Sequence, residues 1–345
     1  MRTMASFLCA LQLCVVVLAA PAAPTYQVIN KLQLGREGGW DYLTADSQAR
    51  RLYISRGDFV MVVDLDTGKQ VGRIADTPGV HGIAIAPELG RGFTSNGRSN
   101  TSTIFDLKTL KPLGQVQTGG NPDAIVYDPA SRCVITLNGT GKDATVFRAA
   151  TGEVVATIWI GGKPEFAAVD GHGKVYVNNE DASQVMEIDT RSMEVTDHWS
   201  IKPGESPTGL ALDAEHHRVF SVCGNKLMTI LDVATGNVTT VPIGQGADGA
   251  GYDPGTGLAF SSNGEGNVTV VREVRPGEFD VVQTAPTQRG ARTMAIDLKT
   301  HNLYLPTALF GPAPRPTAAM PRPRPTTLRD SFVVVVMGAQ AAARY

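Results

Sequence analysis

The fold is decided by a stretch at residues 209–223, which reads GLALDAEHHRVFSVC. In it a short apolar segment ends on Asp213, a polar turn follows, and a second apolar segment ends on Cys223. Short apolar runs bounded by turn residues are typical of β-strands. This stretch therefore predicts two consecutive strands joined by a tight turn.

The same pair of segments recurs along the chain. The first segment occurs seven times, ending at Asp46, Ala86, Asp128, Asp170, Asp213, Asp253 and Asp297, with spacings of 40, 42, 42, 43, 40 and 44 residues. The second segment ends ten residues later in six copies and nine residues later in the fourth. A constant period of this length indicates a repeat architecture.

Two further strands complete each repeat. A third apolar segment often ends on Asp, as in Val60-Met61-Val62-Val63-Asp64, and a turn such as Asp66-Thr67-Gly68 leads to a fourth strand. One four-stranded meander of this length cannot bury both of its faces, whereas seven arranged radially cover one another. The sequence thus predicts an all-β fold, a seven-bladed β-propeller of four-stranded antiparallel blades. A stack of independent sandwiches would need longer strands and less regular spacing.

The seventh repeat has only three strands, at residues 292–296, 302–305 and 332–337. The missing fourth strand is found at the other end of the chain, where residues 26–34 match the fourth-strand pattern. We therefore expect the N-terminal strand to complete blade seven and close the ring. Residues 24–337 are predicted to form the propeller, and residues 338–345 a flexible tail.

Residues 1–23 have the pattern of a cleavable signal peptide. Arg2 precedes an apolar run from Phe7 to Ala20, and small residues lead to Pro24. This run is too short to cross a bilayer, and it lacks the amphipathic pattern of a buried helix. The sequence predicts a periplasmic or secreted protein without a membrane span, which we expect to be a monomer.

Charge and cysteine content limit the remaining classes. The formal net charge is -2, so the chain as a whole is not expected to attract nucleic acid or anionic lipid. Cys9 and Cys14 lie in the predicted leader. Cys133 and Cys223 fall in different blades, too far apart to form a disulfide, so two buried thiols are expected.

The second segment resembles the Tyr-Val-Thr-Asn (YVTN) repeat of the YncE-like family of bacterial periplasmic and surface-layer propellers, with Tyr176-Val177-Asn178-Asn179 nearest to the type sequence. The marks of WD40 and kelch repeats are missing. The resemblance covers nearly the whole mature chain. It implies a propeller, and it allows single-stranded DNA binding, an extracellular-layer role or, through a related group, a lactonase.

A candidate site is predicted on one face, where the residue ahead of strand one and the residue ending strand two meet. The inner set is Asp41, His81, Asp123, Glu165, Thr208, Asp248 and Arg292, and the outer set is Arg56, Asn96, Asn138, Asn179, Cys223, Asn263 and Thr307. The inner carboxylates (Asp41, Asp123, Glu165 and Asp248) are candidate ligands for Ca²⁺ or another divalent cation. Alternatively, these carboxylates are only solvated, and the Asn residues only satisfy the bends after strand two.

Residues 311–329 form an insert in blade seven that departs from the repeat. It contains six prolines, at 312, 314, 316, 321, 323 and 325, and four arginines, at 315, 322, 324 and 329. Alternating proline favours a stiff polyproline II segment. The sequence predicts that this basic insert covers the acidic face; the alternative is a solvated loop.

Three functions follow from these features. The first is a non-catalytic binding or scaffold protein, with a small molecule, polymer or protein bound at the channel face and no cofactor. The second is a metal-assisted lactonase or esterase, in which the cation polarises a carbonyl and His81 accepts a proton. The third is binding of single-stranded DNA, which the family resemblance allows and the acidic charge opposes. The sequence contains no phosphate-binding glycine loop, nucleophile elbow or His-Glu-x-x-His motif.

Overall fold

A computed structural model describes residues 24–35, 38–315, 317 and 325–340. The strands in these residues form seven four-stranded antiparallel sheets. The first strands of successive sheets contact one another in an unbroken circle, so they are innermost and surround a central channel. The predicted seven-bladed β-propeller is therefore confirmed. The predicted signal peptide, residues 1–23, lies outside the described part of the chain.

The strands follow the chain blade by blade. Blade one contains β2 (Leu43–Asp46), β3 (Arg51–Arg56), β4 (Phe59–Asp64) and β5 (Gln70–Ile74). Blade two contains β6 (Val80–Ala86), β7 (Arg91–Asn96), β8 (Thr101–Asp106) and β9 (Pro112–Gln117), with a 3₁₀ turn at Pro87–Leu89. Blade three contains β10 (Pro122–Asp128), β11 (Cys133–Asn138), β12 (Asp143–Arg148) and β13 (Val154–Trp159). Blade four contains β14 (Pro164–Val169), β15 (Lys174–Asn179), β16 (Gln184–Asp189) and β17 (Glu194–Ser200).

The remaining blades continue the pattern. Blade five contains β18 (Pro207–Asp213), β19 (Arg218–Cys223), β20 (Leu227–Asp232) and β21 (Val238–Pro242). Blade six contains β22 (Ala247–Asp253), β23 (Leu258–Asn263), β24 (Asn267–Arg275) and β25 (Glu278–Pro286). Blade seven contains β26 (Ala295–Asp297), β27 (Asn302–Thr307), β28 (Val333–Gln340) and the N-terminal strand β1 (Thr25–Gln33). No helix in the described ranges has the length and apolar character needed to cross a membrane.

Blade seven joins the two ends of the propeller. Its strand order is β1-β28-β27-β26, and β1 pairs antiparallel with β28, from Thr25 opposite Gln340 to Gln33 opposite Val333. Strand β28 thus runs three residues past Met337, where the sequence pattern placed the start of a flexible tail. The extension follows from the start of β1 at Thr25, because its first backbone groups find hydrogen-bond partners at residues 338–340.

The hydrophobic core is divided among the gaps between neighbouring blades. Seven clusters of buried residues occur in the described chain, and each combines residues of two consecutive blades. Between blades three and four, for example, Ile135 and Val146 pack against Val177 and Ile188. Each blade therefore depends on both neighbours for burial, as expected for a closed ring.

In blades three, six and seven, the Asp that ends the first strand bonds to the next blade. Thr190 Oγ1 donates to Asp128 (2.8 Å), His301 Nδ1 lies 2.7 Å from Asp253 Oδ2, and Arg50 Nη1 donates to Asp297 (2.7 Å). In each case the donor belongs to the following blade. The Asp residues also accept backbone N–H groups of their own turn, as at Asp128. One carboxylate thus stabilises both the turn and the contact between two blades.

Candidate functional site at the channel mouth

The inner set of predicted site residues surrounds one end of the channel. His81, Asp123, Glu165, Thr208 and Asp248 are the second residues of β6, β10, β14, β18 and β22, while Asp41 and Arg292 lie in the links ahead of β2 and β26. In β6, β10, β14, β18 and β22 the pairing with strand two shifts register at this point. Such irregularities redirect side chains. The local structure therefore turns these side chains towards the channel mouth.

Three of these residues form a compact cluster, Asp41, His81 and Asp123. His81 Nδ1 lies 2.7 Å from Asp41 Oδ2 and 3.7 Å from Asp123 Oδ1. One ligand atom from each residue lies within 4.8 Å of the others. Burial alone would lower the pKa of His81, but the hydrogen bond to Asp41 and the charge of Asp123 raise it. The imidazole is therefore held between two carboxylates that favour its protonated form.

Asp123 is the more buried of the two carboxyl groups in this cluster. Its Oδ1 atom is buried and accepts no hydrogen bond from any residue that the structure describes. Burial, together with the charge of Asp41, raises the pKa of Asp123 to about 6, although His81 and Lys163 oppose the shift. A cation placed beside Oδ1 would relieve this penalty.

Asp248 and Arg292 form a second pair on the same mouth, with Arg292 Nε 3.3 Å from Asp248 Oδ2. Burial is the main cause that raises the pKa of Asp248 to about 6; the charge of Arg292 opposes the shift, and the charges of Asp41 and Asp123 add to it. Asp248 therefore interacts electrostatically with Asp41 and Asp123, although no hydrogen bond joins these described carboxylates. Thr208 lies between these groups and blade four, and its hydroxyl donates a hydrogen bond to the backbone carbonyl of Ala247 (3.2 Å).

Glu165 belongs to a third cluster, whose other members, Lys163 and Glu180, were not predicted from the sequence. Lys163 Nζ contacts both Glu165 and Glu180, the latter at 2.6 Å. Burial and the charge of Asp123 raise the pKa of Glu165 well above its usual value, and Lys163 opposes this only in part. Lys163 lies in the link before β14, and Glu180 directly follows β15. Both residues lie close in sequence to predicted site residues, Lys163 to Glu165 and Glu180 to Asn179, and this proximity could have identified them.

An aromatic pair lies across the channel near this mouth. The rings of Tyr42, from blade one, and Phe166, from blade four, have centroids 5.1 Å apart. Burial raises the pKa of the Tyr42 hydroxyl, and so do the charges of the four rim carboxylates, Asp123 first among them. Blades one and four are on opposite sides of the ring, so this contact narrows the channel. The carboxylates therefore surround a cup rather than an open tunnel.

A cavity of about 440 Å³ opens at one side of the cup. Asp41, His81, Asn121, Arg98 and Arg292 line it. Its size is within the usual range for small-molecule sites. The cavity gives Asp41 and His81, two of the three cluster residues, access to solvent.

The outer set of predicted site residues is buried in the framework. The set comprises Arg56, Asn96, Asn138, Asn179, Cys223, Asn263 and Thr307, each with at most 2% of its surface exposed. Asn96, Asn138 and Asn263 donate to Thr103, Thr145 and Thr269 of strand three at 2.9, 2.9 and 3.0 Å. These bonds favour the alternative interpretation, in which the Asn residues satisfy the bends. The sequence pattern that could have predicted these bonds is a Thr six or seven residues after each of these three Asn residues.

Arg56 and the two cysteines are also buried in the framework. The Arg56 guanidinium lies 3.6 Å from the centre of the Phe332 ring. Cys133 and Cys223 are free and buried, as expected from their positions in different blades.

The ends of the Pro/Arg-rich insert lie beside the mouth. Phe310 forms an isolated bridge with Thr327, and its ring lies 6.3 Å from that of Trp40. Together with Arg292 and Pro325, these residues line a cavity of about 450 Å³. Residues 316 and 318–324 lie outside the described part of the chain. Coverage of the acidic face by the insert therefore stays a prediction.

Comparisons with known proteins support the fold alone. No protein-family model matches this chain, and no curated protein matches it. Among solved structures, the chain is similar to hydrazine synthase of Kuenenia stuttgartiensis, with a TM-score of 0.68 and 17% identity over 77% of this chain and 92% of that chain. At this identity the likeness shows a shared β-propeller fold.

Proposed function

We propose that this protein is a non-catalytic binding propeller whose channel mouth binds a small, positively charged ligand. The observation that carries the proposal is the convergence of Asp41, Asp123, Glu165 and Asp248 on one mouth. The charge of Asp123 contributes to raising the pKa of Asp248 and of Glu165. Like charges held this close, and partly buried, are stabilised by a cation.

Isothermal titration calorimetry tests this proposal with two probes, Ca²⁺ and 1,4-diaminobutane. Binding of at least one dication is expected, weakened about tenfold by Asp123→Asn. Affinity should increase from pH 5 to pH 7, because Asp123 and Asp248, with pKa values of about 6, lose protons over that range. Glu194→Gln is the matched control, since Glu194 is an exposed residue of β17. Absence of binding by both probes, or equal affinity in Asp123→Asn, would contradict the proposal.

A hydrolase is the second candidate, favoured by the Asp41, His81 and Asp123 cluster. Two carboxylates and an imidazole suit a divalent cation that polarises a lactone or ester carbonyl. His81 would have to lose its proton to act as a ligand or as the proton acceptor. Metal analysis of the purified protein, with a screen of lactones and aryl esters, tests this candidate. Stoichiometric metal and turnover, both lost in Asp123→Asn, are expected for an enzyme.

The family resemblance and the leader pattern supply two further proposals. Membership of the YncE-like group and a periplasmic or secreted location rest on the sequence patterns alone. Single-stranded DNA binding is opposed by the four carboxylates at the mouth, which repel phosphate. Retention of DNA at low salt would be needed to support it.

A further inference from the structure

The outer hairpin of blade six departs from the repeat. Strands β24 and β25 have nine residues each, whereas the third and fourth strands of blades one to five have five to seven. The hairpin turn reads Glu273-Val274-Arg275-Pro276-Gly277-Glu278, in place of the Asp-x-x-Thr-Gly turn of blades one and five. It lies at the end of the blade opposite the acidic mouth, because Arg272 pairs with Leu258 while Asn267 pairs with Asn263. A departure here is therefore independent of the channel site.

The extended hairpin encloses a cavity of about 230 Å³ between blades five and six. Phe220, Tyr252 and Phe279 supply its aromatic lining. Phe220 and Tyr252 are stacked, with centroids 5.5 Å apart and an interplanar angle of 13°, and Phe279 meets Phe220 edge-on at 5.9 Å. At about 30 Å³ per water, the space equals roughly seven to eight water volumes, which suits a small organic molecule.

Polar groups at the cavity are held in defined positions. His216 Nδ1 lies 2.8 Å from Asp213 Oδ2, and the Tyr252 hydroxyl also hydrogen-bonds to Asp213. Glu273 accepts the backbone N–H of Gly277 at 2.6 Å, which holds its carboxylate on the cavity side of the hairpin turn. Two carboxylates thus lie beside the aromatic surface, one from each blade.

The surrounding charge is negative. The carboxylates in or beside the cavity are Asp213, Glu215, Asp232 and Glu273, and the cationic groups are Arg218, Arg272 and His216, whose pKa is raised by its hydrogen bond to Asp213. Even with His216 protonated, the carboxylates exceed the cations. Arg218 is already bound to Asp232 and lies 3.9 Å from Glu273. An aromatic surface next to excess negative charge favours a cation with an apolar body, through burial and cation–π attraction.

We propose that this cavity between blades five and six is a second binding site, for a small aryl- or alkylammonium compound. The apolar part of the ligand packs against Tyr252 and Phe279. Its ammonium group is held by Glu273 and by the acidic surroundings of Asp213. This assignment does not depend on the proposed function of the channel mouth.

The test compares three probes of one shape, namely 2-phenylethylammonium, 2-phenylethanol and phenylacetate, by ligand-observed NMR and calorimetry on the whole protein. The ammonium compound is expected to bind at least about tenfold more tightly than the alcohol, and phenylacetate most weakly. Glu273→Gln keeps the acceptor for Gly277 and should weaken ammonium binding about fivefold. Phe279→Leu should weaken binding of both the ammonium compound and the alcohol.

Two control variants separate this site from the other surfaces. Glu194→Gln removes an exposed carboxylate on blade four, and Asp123→Asn changes the channel mouth, so neither should alter the affinity for 2-phenylethylammonium. Loss of binding in Asp123→Asn would place the ligand at the channel mouth and overturn the proposal. Equal affinity for the three probes, or no binding by any of them, would also overturn it.

Discussion

Arg50→Met tests whether the contact between blades one and seven holds the ring together. Arg50 Nη1 donates to Asp297 at 2.7 Å, and the Asp297 side chain is fully buried. Arg50 Nε and Nη2 bind Asp66, whose side chain is 61% exposed. Arg50 has a positive φ of 56°, which Met retains, so the substitution changes only the side chain.

The expected loss of stability follows from the burial of Asp297. Removing one partner of a buried ion pair costs about 3–5 kcal/mol, since the other charge is left unpaired. Asp297 keeps hydrogen bonds from Thr300 Oγ1 (2.7 Å) and the Lys299 N–H (3.2 Å), which places the expected value near the lower limit. We therefore expect Arg50→Met to lower the free energy of unfolding by about 3 kcal/mol, or Tm by about 4–5 °C for a protein of this size.

The loss should depend on pH in a defined direction. Burial by itself would raise the pKa of Asp297, but hydrogen bonds from Thr300 and Arg50 hold it below its usual value. A carboxyl with a depressed folded-state pKa stabilises the protein above its unfolded-state pKa of about 3.9, and this stabilisation is lost as the pH falls through the folded value. The difference between wild type and Arg50→Met should thus be largest near pH 7 and shrink below about pH 4.

Urea denaturation and thermal unfolding at pH 7 measure this effect. Asp66→Asn is the matched control, because its exposed pair with Arg50 contributes at most about 1 kcal/mol. The double variant Arg50→Met/Asp297→Asn removes the stranded charge, so it should be more stable than the sum of the single changes indicates. If Arg50→Met is no more destabilising than Asp66→Asn, the blade contact does not have the importance assigned to it.

Two further predictions concern the channel. Asp123→Asn should stabilise the protein by about 1–2 kcal/mol at pH 8 and by little at pH 5. The reason is that the pKa of Asp123 is raised to about 6, so the wild-type folded state loses stability as the pH rises from about 4 through 6. A difference in unfolding free energy between variant and wild type that does not change with pH would refute this prediction. Gly209→Ala should destabilise by at least about 2 kcal/mol, since a Cβ there meets the backbone of the neighbouring blade at 2.6 Å, whereas Gly114→Ala, with nothing within 4 Å, should be nearly neutral in urea denaturation.

The architecture of the blades could be predicted from the sequence because it depends on local patterns. Apolar segments ending on Asp46, Asp128 or Asp213 repeat at nearly constant spacing, and this periodicity arises from alternation and turn chemistry within one repeat. The inner residues of the mouth, His81 and Asp123 among them, were predicted from the same alignment. Each occupies the same position in its repeat, and equivalent positions of a ring meet at one end.

The outer set shows where alignment alone was insufficient. Asn138 ends a strand on the face of the mouth, which made it a candidate site residue, yet it is buried and its amide donates to Thr145 and Asp143. Whether such a side chain points to solvent depends on the pairing of β11 with β12. Repeat spacing contains no information on that register.

The sequence by itself determined the number of blades, the order of the strands and the position of the acidic residues at one end of the channel. Only the tertiary structure decided which of them act together, namely that His81 bridges Asp41 and Asp123 while Glu165 pairs with Lys163. The reason is that each of these residues belongs to a separate stretch of chain. Their distances, burial and pKa values exist only once seven blades have packed into one ring.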